Sequence, residues 1–115
     1  MAYTELANFY AATSQLSLAR KTLEPILPKH AEEIDVQYVL GRIYAGEQQF
    51  TEAKTALQKV VEARPQAIEA RYTLAAVYKA LKDTEGAIRE YDAILHLMPE
   101  HVPSLINLAY IMLSR

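Results

Sequence analysis

The sequence repeats itself at an interval of 34 residues, and that interval restricts the fold more than any other property of the chain. Leu40, Gly41, Tyr44, Ala53, Leu57 and Pro65 return 34 positions later as Leu74, Ala75, Tyr78, Ala87, Tyr91 and Pro99. Two stretches with the same order of apolar, small and proline positions are two copies of one structural unit. A period in the thirties predicts a stacked helical array rather than a single globular core, because each unit leaves a face that only a neighbour can bury. Moved back by 34, the register meets Leu6, Ala7, Tyr10, Ala19 and Leu23; moved forward, it meets Leu108, Ala109 and Met112.

Each unit divides into two helical patterns. In 34–67, Val36, Leu40, Ile43 and Tyr44 follow a 3.6-residue period until Gly46, Glu47 and Gln48 interrupt it. Ala53, Leu57, Val60 and Val61 resume it on a second helix, which Pro65 closes. In 68–101 the pattern covers 72–81 and 87–97, with a turn at 82–84 where Asp83 or Thr84 is placed to cap the second helix. Helices of about 13 residues are marginal alone in water, so stability must come from stacking. The small residues Gly41, Ala53, Ala75 and Ala87 are expected where paired helices approach most closely. Only three glycines and a 51% hydrophobic content suit helices with a buried side, and 115 residues suffice for one domain.

These residues resemble the tetratricopeptide repeat, whose pattern runs W-x2-L-G-x2-Y, then A-x3-F, then P. The resemblance covers the whole chain: unit one 1–33, unit two 34–67, unit three 68–101, and a half repeat or capping helix 102–115. Gln37 and Arg71 stand where the family favours an aromatic, and Ala31 stands where its closing proline belongs. The resemblance implies an all-α fold, a right-handed superhelical array of antiparallel helix pairs with about seven helices. Pro25 departs from it. Proline inside the second helix of unit one removes a hydrogen bond and clashes with the carbonyl of Lys21, so that helix is expected to kink or to end near Glu24.

The resemblance further implies a concave groove lined by the first helices of successive units, holding a protein or peptide segment. Facing away from the core-directed Leu and Tyr positions, the candidate contacts are Asn8, Tyr38, Arg42, Tyr72, Ala76, Lys79, Ile106, Asn107 and Tyr110. Tyr38, Tyr72 and Ile106 are equivalent positions and form a ladder along the groove. Tyrosine offers a large apolar face and one hydroxyl at small entropy cost; the competing account is that Tyr38 and Tyr72 pack between helices as groove floor. Asp35 and Glu69 fall in first helical turns, where acids suit the helix dipole. Family members that clamp the C-terminal carboxylate of heat-shock chaperones use Lys and Asn, then Asn, then Lys and Arg on three successive first helices. Here those places hold Thr4 and Asn8, then Val39, then Glu69 and Thr73, so only Asn8 fits and Glu69 repels a carboxylate.

The other classes find little support. A net charge of −2 and no basic run longer than two residues give no footprint for nucleic acid. No stretch approaches the roughly 18 apolar residues of a membrane span, and residues 1–5 have neither the basic nor the apolar region of a secretory signal. The compartment stays open. There is no cysteine, and His30, His96 and His101 lie near the ends of second helices, where they complement the dipole. No metal, cofactor or catalytic constellation is expected, and the chain reads as a non-enzymatic scaffold. One rival class remains, self-association. Apolar residues run nearly all round 102–113, so Leu105, Leu108 and Met112 are expected to seek a partner helix, as in an array cut from a longer one.

Overall fold

The computed structural model describes residues 2–114, which form helices and short connections with no strand among them. In chain order the helices are α1 (Ala2–Ala12), α2 (Leu16–Leu23), α3 (Leu27–His30), α4 (Ile34–Gly46), α5 (Phe50–Ala63), α6 (Ile68–Ala80), α7 (Thr84–Leu97) and α8 (Val102–Ser114). The pairs α1/α2, α4/α5 and α6/α7 pack internally, and α4, α6 and α8 join each pair to the next, giving a superhelical array 45 × 25 × 22 Å in extent.

Pro25 explains why eight helices are described where the repeat implies about seven. Helix α2 stops at Leu23, and α3 restarts for four residues at Leu27. The expected break therefore occurs, with Ile26 buried across the interruption. The other two second helices run 14 residues each without interruption.

The turn inside each pair is the same in all three units. Ser14, Gln48 and Lys82, spaced by 34, hold left-handed φ values of 63°, 64° and 64°. The amides of Gln15, Gln49 and Asp83 then reach back to the carbonyls of Tyr10, Tyr44 and Tyr78, each at 2.8 Å. This is the helix-ending motif that glycine usually serves; here none of the three residues is glycine. Asp83 caps α7 through its side chain, which accepts from the Gly86 amide at 2.9 Å. The equivalent Gln15 and Gln49 make no such bond.

Side-chain packing follows the register. A Cβ added at Gly41 would lie 2.7 Å from Leu57 Cγ, so the absence of a side chain sets how closely α4 and α5 meet. Leu57, Leu74, Tyr91 and Ile94 centre one core, and Leu23, Val36 and Ile43 centre another beside it. The two positions where an aromatic is usual carry a polar anchor instead. Gln37 Nε2 donates to the Ala31 carbonyl at 2.5 Å, and Arg71 Nε donates to the equivalent Pro65 carbonyl at 2.7 Å. Arg71 Nη1 also reaches Glu90 Oε1 at 2.8 Å, pairing two largely buried charges. Both side chains thus fasten a first helix to the loop before it.

The two ends differ from the middle. Phe9 is 58% exposed, while its equivalents Ile43 and Val77 are 0% and 1% exposed against the preceding unit. Tyr3, Leu6 and Leu18 are exposed on the same end, a feature the sequence reading did not anticipate. At the other end Leu105, Met112 and Leu113 are exposed. Leu108 corrects the expectation for this helix: it turns inward with Ile111 onto the core formed by α5, α6 and α7.

Candidate functional site

The first helices α1, α4, α6 and α8 run the same way and are neighbours along the array, so each presents the same register positions on one face. Packed helices lie roughly 8–10 Å apart between axes, which sets the scale of this face. Of the nine candidate contacts, the structure gathers six into two polar clusters.

The first cluster joins α1 to α4. Arg42 donates to Asn8 Oδ1 across the two helices, and its guanidinium lies over the Tyr38 ring, 5.6 Å from the centroid. Burial pushes the Tyr38 phenol above its ordinary pKa; Arg42 opposes that shift by charge and hydrogen bond, and Glu69 adds to it. The second cluster joins α6 to α8. Lys79 Nζ donates to Asn107 Oδ1 at 2.8 Å, and Asn107 Nδ2 donates to the Tyr72 hydroxyl at 3.0 Å and to the Pro103 carbonyl at 2.8 Å. Tyr72 also meets Tyr91 and His101 edge-on, with centroids 5.9 and 5.6 Å away. Its ring is therefore half structural. Burial pushes the neighbouring Tyr91 phenol up to about 12.

Ala76, Ile106 and Tyr110 are exposed and remain outside both clusters. Tyr38 occupies a central place. It lines three adjoining depressions: one with Thr4, Glu5 and Asn8, one with Ile68 and Gln66, and one of about 320 Å³ with Arg42, Tyr72 and His101. Two features escaped the sequence reading. Asp35 is bound to Arg64 at 2.6 Å, so it is an ion-pair partner as well as a dipole-compatible acid. His101 caps α8: its Nδ1 accepts from the Ser104 amide at 3.3 Å and lies 2.7 Å from the Ser104 hydroxyl. A histidine two residues before a proline gives no sequence cue for that role.

Among the described residues no group of three or more His, Asp or Glu is arranged to hold a metal ion. No described helix is long and apolar enough to cross a membrane.

A family model described as tetratricopeptide repeat matches residues 44–109. Among solved structures, the chain is similar to one titled "MamA D159K mutant 1", with a TM-score of 0.82 and 26% sequence identity. The match covers 97% of this chain and 65% of that one, so the chain spans just under two thirds of that protein's length. No curated protein matches. The family model takes in more than half of the 115 residues, and the helix pairs repeat in the register that it describes; the chain belongs to the tetratricopeptide repeat family.

Proposed function

We propose that the chain is a non-catalytic scaffold that holds an extended segment of another protein along the face built by α1, α4, α6 and α8. The observation that carries this reading is the position of Tyr38, one ring shared by three adjoining depressions. An extended segment rises about 3.3 Å per residue, so two side chains on one of its faces, about 6.6 Å apart, can reach neighbouring helices. Tyr38 and Tyr72 supply apolar faces for such side chains, and Asn107 holds the Tyr72 hydroxyl with its own proton left to donate. The family's fold supports a protein partner in general.

Selection from a displayed library of random peptides tests this, using the 115-residue chain as bait. Peptides recovered should lose about 1–3 kcal/mol of affinity with Tyr38→Ala. They should weaken similarly with Ala76→Arg, which fills the groove from an exposed position without touching the core. Peptides that bind both variants like the parent would place the partner elsewhere. A second reading rests on the exposed apolar side chains at both ends, Phe9 and Leu113 foremost. In that reading the scaffold also associates with copies of itself, end to end, and Leu113→Glu lowers the mass seen by light scattering at high concentration.

A further inference from the structure

The groove is charged differently along its two edges. Because the first helices run parallel, early positions in each helix form one edge and late positions the other. Glu69 lies on the early edge, in the first turn of α6. Arg42 and Lys79 lie toward the late edge, in α4 and α6. Between them run the rings of Tyr38 and Tyr72. Helix dipoles favour this arrangement, but they do not explain how the charges are partnered.

Four other cations of the array are tied to carboxylates: Arg20 to Glu47 and Lys59 to Glu32 across units, Arg64 to Asp35 and Arg71 to Glu90 within one. Arg42 and Lys79 are held instead by the neutral amide oxygens of Asn8 and Asn107. Such a bond fixes the position of a cation and brings no carboxylate to it, and the Tyr38 ring under Arg42 is neutral as well. Glu69 is exposed and, among the described residues, has no ion-pair partner. The groove therefore presents two positioned cations on one side and an uncompensated acid on the other.

An extended chain lying across the first helices sends successive side chains to opposite edges, since its side-chain period is two. From this match the geometry points to a partner segment with an acidic–basic–acidic triplet, taken in extended form. The two acids, about 6.6 Å apart along the strand, reach Arg42 and Lys79 through those long side chains, and the basic residue between them meets Glu69. This rests on the groove reading above and adds the chemistry of the occupant. A run of acids alone is disfavoured by Glu69, and a run of bases by Arg42 and Lys79.

Three synthetic peptides on one neutral, β-prone frame test it, with Glu-Lys-Glu, Glu-Glu-Lys or Lys-Glu-Lys at the centre. The first two have identical composition and net charge and differ only in order. By fluorescence anisotropy at low salt, Glu-Lys-Glu should bind roughly fivefold or more tighter than either other peptide, from several partly exposed pairs acting together. The preference should fade as salt shortens the screening length. The double variant Glu69→Lys, Lys79→Glu, confirmed as helical by circular dichroism, should lose the preference. Equal binding of Glu-Lys-Glu and Glu-Glu-Lys overturns the charge pattern; if Ala76→Arg still weakens both, the groove reading survives that loss. Binding by none of the three, or binding that Ala76→Arg leaves untouched, removes the proposal and its foundation together.

Discussion

Unit one and unit three share a 34-residue register but solve it differently. In unit three the second helix α7 runs 14 residues, is capped by Asp83, and receives Arg71 on a largely buried Glu90. In unit one the second helix stops after eight residues and has no side-chain cap at Gln15, and the first helix shows Tyr3, Leu6 and Phe9 to solvent. In the second core, unit one supplies Ala7, Ala19, Leu23 and Ile26, and unit two supplies Val36, Val39, Leu40 and Ile43. Unit three is flanked on both sides; unit one borrows its burial from a single neighbour. A proline inside a helix is tolerable where fewer contacts depend on the helix being continuous.

The widest test of that contrast is a pair of equivalent leucines. Leu74 is 0% exposed and Leu6 45%. Leu74→Ala is expected to cost about 3 kcal/mol in urea denaturation and Leu6→Ala under about 1 kcal/mol; equal costs would mean that the end unit is as well packed as the middle. Next in size is the anchor of unit three. Arg71→Ala strands the Glu90 carboxylate and should cost about 2 kcal/mol. Arg71→Gln should recover part of that loss by keeping a bond to the Pro65 carbonyl, as Gln37 does to Ala31.

The caps give a smaller and more even-handed comparison. Asp83→Ala should lose about 1 kcal/mol, and Gln15→Asp should gain a few tenths to about 1 kcal/mol by giving unit one the cap it lacks. No gain at Gln15 would show that its backbone is wrongly set for capping. Smallest is Pro25→Ala, with a stability change within about 1 kcal/mol of either sign, since the regained helix bond is offset by a freer unfolded chain. Its readout is local: amide exchange across residues 24–27 should slow if proline alone ends α2. Unchanged exchange would assign the break to the packing of Ile26.

Much of this architecture was legible because register is a property of residue order. Gly41 at a close approach, Asp83 as a cap and the break near Glu24 each follow from what one residue type can do sterically. The left-handed turns at Ser14, Gln48 and Lys82 left no such trace, because the packed helices on either side impose a backbone angle that these side chains do not prefer. Nor did the bonds from Gln37 and Arg71, whose partners are carbonyl oxygens, invisible in any sequence. In the candidate groove, helical spacing named side chains of which six meet in two clusters. It did not reveal which of them hold each other: Asn8 with Arg42 and Asn107 with Lys79 are pairs only after the units have stacked.

The ties between units also set the tempo of folding. Asn8 and Arg42 are 34 positions apart, and Tyr72 and Asn107 are 35 apart. A bond that spans one period closes a short loop, and short loops close at little entropic cost. Such a chain should collapse in microseconds to milliseconds, as helical proteins dominated by local contacts do. Folding should start in the well-packed stretch from α4 to α7 and spread outward. Substitutions in that stretch would then slow folding, whereas substitutions in unit one would mainly hasten unfolding.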